Sequence, residues 1–360
     1  MSAETALEHQ IAAVYREILG ITDITPTDSF FDLGGDSLSA LSVINCIEEL
    51  TGEKVAVSLL LEYQTPRALA IALSKTGRGA ACSNLVPIQT GGLRAPLFCP
   101  HPFGGHVLHY RPLAKALGSE QPLYGLQARG LHGEASPHLS IPEMAREYIH
   151  AIRSVQQRGP YQLVGYSMGG SIAWEMATQL RDAGEEIAIL GLLDAKALHT
   201  QEEHKRRHPL LGNRPIPDWL SERVVILSML FPALTKHWKK LKLIDREQQV
   251  TALLDFGTKA GSITEMSETQ LNHVLAVAEA NRTALHEYTP RPNDSRSVLF
   301  TAEKGLCIST DQHNGDLGWK QFATGCLEIH RVPGDHYTMV APPHVGVLAS
   351  KLDRYLIRDA

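Results

Sequence analysis

The chain has 360 residues, room for one large domain and one small one, with 43 % hydrophobic and 20 % charged residues in an ordinary globular balance. A formal net charge of −5 without a dominant basic patch argues against a nucleic-acid surface, and no run of about 18 apolar residues marks a membrane span. Cys46, Cys82, Cys99, Cys307 and Cys326 are odd in number and lack metal-ligand spacing, and MSAETALEHQ shows no signal-peptide pattern. The expectation is a cytoplasmic protein with free thiols, no metal site, no nucleic acid and no membrane.

The first 75 residues read as helical. Leu7, Ile11, Tyr15 and Ile18 recur at helical spacing, which predicts a helix over about 4–19 that Gly20 ends. Turn residues and Pro26 follow. Leu38, Leu41, Ile44 and Ile47 then mark a second helix from Ser37 to about Thr51–Gly52, and Val57–Tyr63 a short third. Thr65–Pro66 forms an N-cap with Pro at the first helical position and opens a fourth helix through Leu73.

KTGRGAACSN breaks the pattern as a small-residue linker. Beyond it the short apolar runs LVPI, PLFC, LYGL, YQLVG, IAILGLLD, SVLFT and LEIHRV alternate with helical stretches, including 141–157 and 170–183. That alternation predicts a largely parallel α/β sheet. Residues from 197 to about 285 depart from it and read as helices (SERVVILSMLF, REQQVTALLDF, ETQLNHVLAVAEANRTALHEY), a candidate lid.

Two serines stand in informative contexts. FFDLGGDSLSAL places Ser37 at a helix start, with Asp36 as N-cap and Gly34–Gly35 just before it. A helix N-terminus favours a phosphate, and the small residues leave room for a modifying enzyme. Asp-Ser ahead of an apolar helix is common, so alone it reads only as a cap. Gly165-Tyr166-Ser167-Met168-Gly169 is a G-x-S-x-G turn between an apolar strand and a helix, where a strained serine needs small neighbours two positions away.

A nucleophilic serine needs a base and an orienting acid, which follow it in chain order in this type of site. His336, in Gly334-Asp335-His336 after LEIHRV, is the candidate base on a loop at a strand end. Asp194, ending IAILGLLD, is the candidate acid; Asp335 is too close in sequence to reach behind the ring, and Asp311 and Asp316 are weaker rivals. The oxyanion donors are read as the N–H groups of Met168 and of Phe103 in PHPFGG, with Gly104 the alternative. His101, His106 and His109 lie near that loop without a metal pattern, and His204 and His208 sit in a solvated charged stretch.

Larger resemblances join these motifs. Residues from about Leu7 to Leu73 resemble a phosphopantetheine carrier domain, and the doubled glycine of FFDLGGDSLSALSVI looks like a peptidyl carrier of a nonribosomal peptide synthetase. The resemblance implies 4′-phosphopantetheine attached covalently to Ser37. Residues 85–350 resemble the type I thioesterase domain that ends such synthetases, on LFCPHPFGG, GPYQLVGYSMGGSIAWEMATQL, LLD and PGDHYTMVAPPHV.

The expected architecture is therefore a small all-α four-helix carrier domain (1–75), a linker and first strand region (76–92), and an α/β-hydrolase domain (93–360) with a helical lid at about 197–285. The resemblance implies release of a thioester-bound peptidyl or acyl chain through an acyl-Ser167 intermediate, by hydrolysis or macrocyclisation. A release domain of a polyketide or hybrid synthase is the alternative within this class. A non-catalytic carrier and docking module is the alternative outside it. No adenylation, condensation or ketosynthase pattern appears, so upstream synthetase modules would build the chain, and a phosphopantetheinyl transferase would install the arm.

Overall fold

The computed structural model describes residues 3–35, 37–53, 55, 57–75, 84–131, 133–197, 220–260, 268–304 and 315–357. They divide into two compact units, the described residues within 1–83 and 257–272 and those within 84–256 and 273–360, the second built around the sheet. Residues 76–83 of the expected linker, the Asp36 cap, Asp311, His204 and His208 lie outside the described residues.

In the first unit four helices carry the expected pattern: α1 (Ala3–Leu19), α2 (Ser37–Thr51), α3 (Val57–Glu62) and α4 (Pro66–Lys75). Gly20 takes φ 66°, the left-handed stop that a side chain would strain, and Ile21 N–H returns to the Arg16 carbonyl. The Thr65 hydroxyl accepts from Ala68 N–H at 3.2 Å, a cap worth about 1 kcal/mol. Ile11, Tyr15, Phe30, Val43, Ile47, Leu60 and Leu69 form the core. Tyr15 packs its ring at a tilt against Phe30 and donates its hydroxyl to the Gln64 carbonyl.

The second unit holds seven strands: β1 (Leu85–Gln89), β2 (Leu97–Pro100), β3 (Leu123–Leu126), β4 (Tyr161–Tyr166), β5 (Ile187–Leu193), β6 (Ser297–Lys304) and β7 (Leu327–Asp335). The sheet order is β1-β3-β2-β4-β5-β6-β7, with β1 antiparallel to β3 and every other pair parallel. Strand β4 is buried at every position, as a central strand covered on both faces must be. Helices α5 (Arg111–Leu117), α6 (Ile141–Ile152) and α7 (Met168–Asp182) accompany the sheet.

Helix α6 stops five residues short of the expected end. Val155 is exposed, so nothing packs a further turn, and Gln156 turns its amide onto the Arg158 and Pro160 carbonyls instead. Trp174 of α7 stacks on Trp319 at 4.6 Å, and each indole N–H is satisfied, by the Arg291 and Ala195 carbonyls.

Between β5 and β6 the chain leaves the sheet to form α8 (Glu222–Leu230), α9 (Trp238–Leu241), α10 (Gln249–Lys259) and α11 (Glu268–Glu287). The helical character expected of the lid is present in the described residues. Ser221 caps α8 by accepting from Val224 N–H at 3.3 Å. Ion pairs Arg223–Glu279 and Arg282–Glu222 tie α8 to α11. Helix α12 (Val345–Leu352) closes the fold and, with α5, was not anticipated from the sequence.

Candidate active site

Ser167 follows β4, Asp194 follows β5 and His336 follows β7, so all three stand at the carboxyl edge of the parallel strands. That edge is where open α/β sheets gather ligands, because the connecting loops diverge there. Among the described residues only Ser167 (φ 55°), Asp194 (φ 43°) and Leu317 are non-glycine residues with positive φ. Such backbone costs about 1–3 kcal/mol per residue and persists only where surrounding bonds enforce it. Here Ser167 N–H donates to the Leu193 carbonyl at 2.9 Å and Asp194 N–H to the Phe300 carbonyl at 2.7 Å, extending the ladder past the strand ends.

The elbow is tight for a nameable reason. A Cβ on Gly165 would collide with the Gly169 carbonyl, and one on Gly169 with the Pro100 carbonyl. Tyr110 fastens this junction: its hydroxyl donates to the Pro100 carbonyl at 2.7 Å and accepts from Tyr166 N–H at 2.9 Å. The strand leading to Ser167 and the strand leading to the PHPFGG loop are thereby held by one buried phenol.

The three expected side chains meet. His336 Nε2 lies 3.1 Å from Ser167 Oγ, and His336 Nδ1 lies 2.7 Å from Asp194 Oδ2. The other Asp194 oxygen accepts from Ala302 N–H at 3.0 Å, which fixes the carboxylate plane. His336 is 9 % exposed, so the pair works largely away from water. Tyr166 donates its hydroxyl to the His336 carbonyl at 2.7 Å.

The rival acids are occupied elsewhere. Asp335 accepts from Tyr337 N–H, Thr338 N–H and the Thr338 hydroxyl. Burial pushes its carboxyl up, but those bonds outweigh it and hold the group below its usual range. Asp316 accepts from Gly318 N–H within its own loop.

Among the described residues the N–H groups of Met168 and Phe103 find no backbone acceptor. Met168 begins α7, where first-turn donors are free by construction. Phe103 follows Pro102, whose carbonyl accepts from Gly105 N–H at 2.9 Å and from His101 Nδ1 at 2.8 Å.

His101 is fully buried and serves this loop as a neutral donor, with burial pushing its pKa down to about 4. His106 and His109 show only an edge to solvent; burial takes His106 down to about 4 and His109 well below its usual value. No group of three His, Cys, Asp or Glu among the described residues is arranged to hold a metal. Tyr110, Tyr166 and Ala302 support the site and were missed in the sequence, where only the first x of G-x-S-x-G pointed to Tyr166.

In the first unit α2 begins at Ser37. The loop before it folds onto Phe30: Gly35 N–H bonds the Phe30 carbonyl at 3.0 Å, and a Cβ on Gly35 would overlap the Phe30 ring. Gly34 takes φ 103°. A serine at the start of a 15-residue helix, approached by a compact glycine loop, suits a covalently attached phosphate ester.

Comparison with known proteins matches both units. Residues 95–356 match the thioesterase domain family and residues 9–73 the phosphopantetheine attachment site family. The chain belongs to the thioesterase domain family, as a serine thioesterase preceded by a carrier domain for covalent 4′-phosphopantetheine.

It is 39 % identical over 353 residues to a dimodular nonribosomal peptide synthase of Bacillus subtilis (strain 168), covering 97 % of this chain and 14 % of that protein. It is 39 % identical over 346 residues to indigoidine synthase of Dickeya dadantii (strain 3937), covering 96 % and 22 %. The chain thus spans less than a quarter of either relative.

Among solved structures it resembles AB3403, a four-domain nonribosomal peptide synthetase, with a TM-score of 0.65 at 25 % identity, covering 98 % of this chain and 26 % of that one. The Vlm2 thioesterase domain aligns with a TM-score of 0.52 at 25 % identity, covering 75 % and 96 %. Among the described residues no helix is long and apolar enough to cross a membrane.

Proposed function

We propose that this chain releases a peptidyl chain from a carrier-bound thioester as the last step of nonribosomal peptide biosynthesis, with Ser167 as nucleophile, His336 as base and Asp194 as orienting acid. The observation that carries the reading is the continuous line from Ser167 Oγ through the His336 ring to Asp194, at 3.1 and 2.7 Å. Those contacts also count against a non-catalytic docking module. The synthetase relatives favour a peptide over a polyketide chain.

Bound on Ser37, 4′-phosphopantetheine supplies a thiol that holds the acyl group as a thioester. Asp194 accepts a hydrogen bond from Nδ1–H of His336 and so leaves the Nε2 lone pair facing the hydroxyl. Ser167 Oγ bonds to the thioester carbonyl carbon as its proton passes to Nε2. The oxyanion faces the free N–H groups of Met168 and Phe103, or Gly104 in place of the latter. The carbon–sulfur bond then breaks, Nε2 returns its proton to the departing thiolate, and acyl-Ser167 remains. A second nucleophile loses its proton to the same nitrogen and displaces Ser167. Water yields a free acid, and an internal amine or hydroxyl yields a ring.

The division that supports this is a carrier at 1–75, a connecting segment with the first strand at 76–92, and a thioesterase at 93–360 with its lid near 197–285. Upstream condensation and adenylation modules would supply the chain, and a phosphopantetheinyl transferase would modify Ser37. The free Cys46, Cys99 and Cys326 fit a reducing cytoplasm.

The test is turnover of a panel of peptidyl and polyketidyl pantetheine thioesters, with products identified by mass. Thiol release by the native protein, absent in Ser167→Ala, supports the reading, and the product masses separate acid from ring. Equal release by both proteins refutes it.

A further inference from the structure

The PHPFGG loop is fixed from two directions. Inside the loop, the Pro102 carbonyl is held by Gly105 N–H and His101 Nδ1. From outside, Asn281 of α11 donates its side-chain amide to the Phe103 carbonyl at 2.8 Å. Asn281 is 1 % exposed, on the buried face of its helix with Val277, Ala278 and Ala284, while Glu279 and Arg282 lie on the opposite, solvent-facing side. An amide buried that deeply is costly unless it is bonded, and its recorded partner is the loop rather than its own helix.

The same helix also presses on Gly105. Val277, one turn before Asn281, is where a Cβ on Gly105 would come to 2.7 Å, and Gly105 itself takes φ 82°. Leu230, at the end of α8, lies against Gly104. Three successive loop residues therefore rest on lid side chains: Phe103 on Asn281, Gly104 on Leu230 and Gly105 on Val277.

A peptide unit is planar, with its C=O and N–H pointing in opposite directions. Holding the Pro102 carbonyl fixes where Phe103 N–H points, and holding the Phe103 carbonyl fixes where Gly104 N–H points. Both candidate donors for the oxyanion are thus aimed by the carbonyl bonded behind them.

We propose that Asn281 is a positioning residue for acyl transfer: it locks the Phe103–Gly104 peptide and ties the oxyanion loop to the last lid helix. The inference rests on the reading of this loop as an oxyanion site. It adds that the lid helix sets the donor geometry as well as covering the cleft. Displacement of α11 would then weaken stabilisation of the oxyanion without touching Ser167, His336 or Asp194.

A fluorophosphonate tests this without knowledge of the acyl chain, because its tetrahedral adduct on Ser167 places an oxygen where the oxyanion forms. Labelling rates are compared for the native chain, Ser167→Ala, Asn281→Leu and Asn281→Asp. The proposal expects Asn281→Leu to label about tenfold or more slowly than native, in the range of a weakened oxyanion donor.

Asn281→Asp separates positioning from bulk stability. A neutral carboxyl donates to the Phe103 carbonyl, whereas an ionised one repels it. Its rate relative to native should therefore fall as pH rises from about 6 to about 9, buried carboxyls titrating well above their ordinary value. An Asn281→Leu rate within about twofold of native, or an Asn281→Asp ratio flat with pH, overturns the assignment. Labelled native protein with unaffected Asn281 variants refutes only this inference; native protein that stays unlabelled refutes the nucleophile as well.

Discussion

Tyr166 and His336 are joined at two points: the phenol donates to the His336 carbonyl at 2.7 Å, and the two rings lie 4.9 Å apart. Tyr166 thus holds both the backbone and the ring of His336. Because Tyr166 N–H is itself bound to Tyr110, the chain of contacts runs from Pro100 through the elbow to the base. Tyr166→Phe removes one hydrogen bond of about 1 kcal/mol, so kcat should fall about fivefold with KM unchanged. Steady-state kinetics on a thioester checks this. A change confined to KM would show that the contact serves binding instead.

Asp194→Asn keeps the shape of the side chain but offers an amide to either His336 Nδ1 or Ala302 N–H. The ring then loses the carboxylate that sets its tautomer. The expected loss in kcat is about a thousandfold or more, with the fold intact by circular dichroism. Retention of kcat within about tenfold would move the acid to another residue.

Gly169→Ala places a methyl group on the Pro100 carbonyl and 3.0 Å from the His101 carbonyl. Backbone on both sides leaves no flexible side chain to give way. The variant should lose about 2–4 kcal/mol of stability, read as a lower urea midpoint. Gly184→Ala is the comparison: nothing lies within 4 Å of its Cβ, and φ 79° alone supplies a smaller cost.

His101 gives stability a pH dependence of known sign. Folded, burial keeps its ring neutral until about pH 4; unfolded, it takes a proton below its ordinary value of 6.5. Between those limits the unfolded chain binds more protons, so stability falls as pH falls, by up to about 1.4 kcal/mol per pH unit. Above 6.5 the group contributes nothing. His106 and His109 act in the same direction. Urea titrations at descending pH should show the loss, and His101→Gln should reduce its slope. Stability that rises below pH 6.5 in the native chain and is unchanged by the substitution would contradict it.

The fold was legible in the sequence wherever periodicity was strong. The run YQLVG before Ser167 is buried throughout as β4, and Leu69 and Ala70 mark the buried face of α4. Ser167, Asp194 and His336 could be found because each follows a strand in a fixed chain order. Helix α12 was missed because VGVLASKL opens one residue after a proline pair and carries no side-chain cap.

The supporting residues were illegible for a different reason. Asn281 lies 178 positions from Phe103, and Tyr110 lies 56 from Tyr166. Their roles rest on one or two hydrogen bonds to backbone atoms, which leave no spacing pattern. Only the packed structure shows that the polar second residue of ANRTALHEY points inward.

The central claim is that the acyl group leaves the carrier thioester for Ser167 before it leaves the protein. Mass mapping of digested protein, after loading the carrier with an acyl-phosphopantetheine and quenching in acid, tests it most directly. The account predicts an acyl adduct on the peptide containing Ser167, and in Ser167→Ala an acyl group that stays on the peptide containing Ser37. Release by Ser167→Ala at the native rate, with no adduct on Ser167 at any time point, would contradict it.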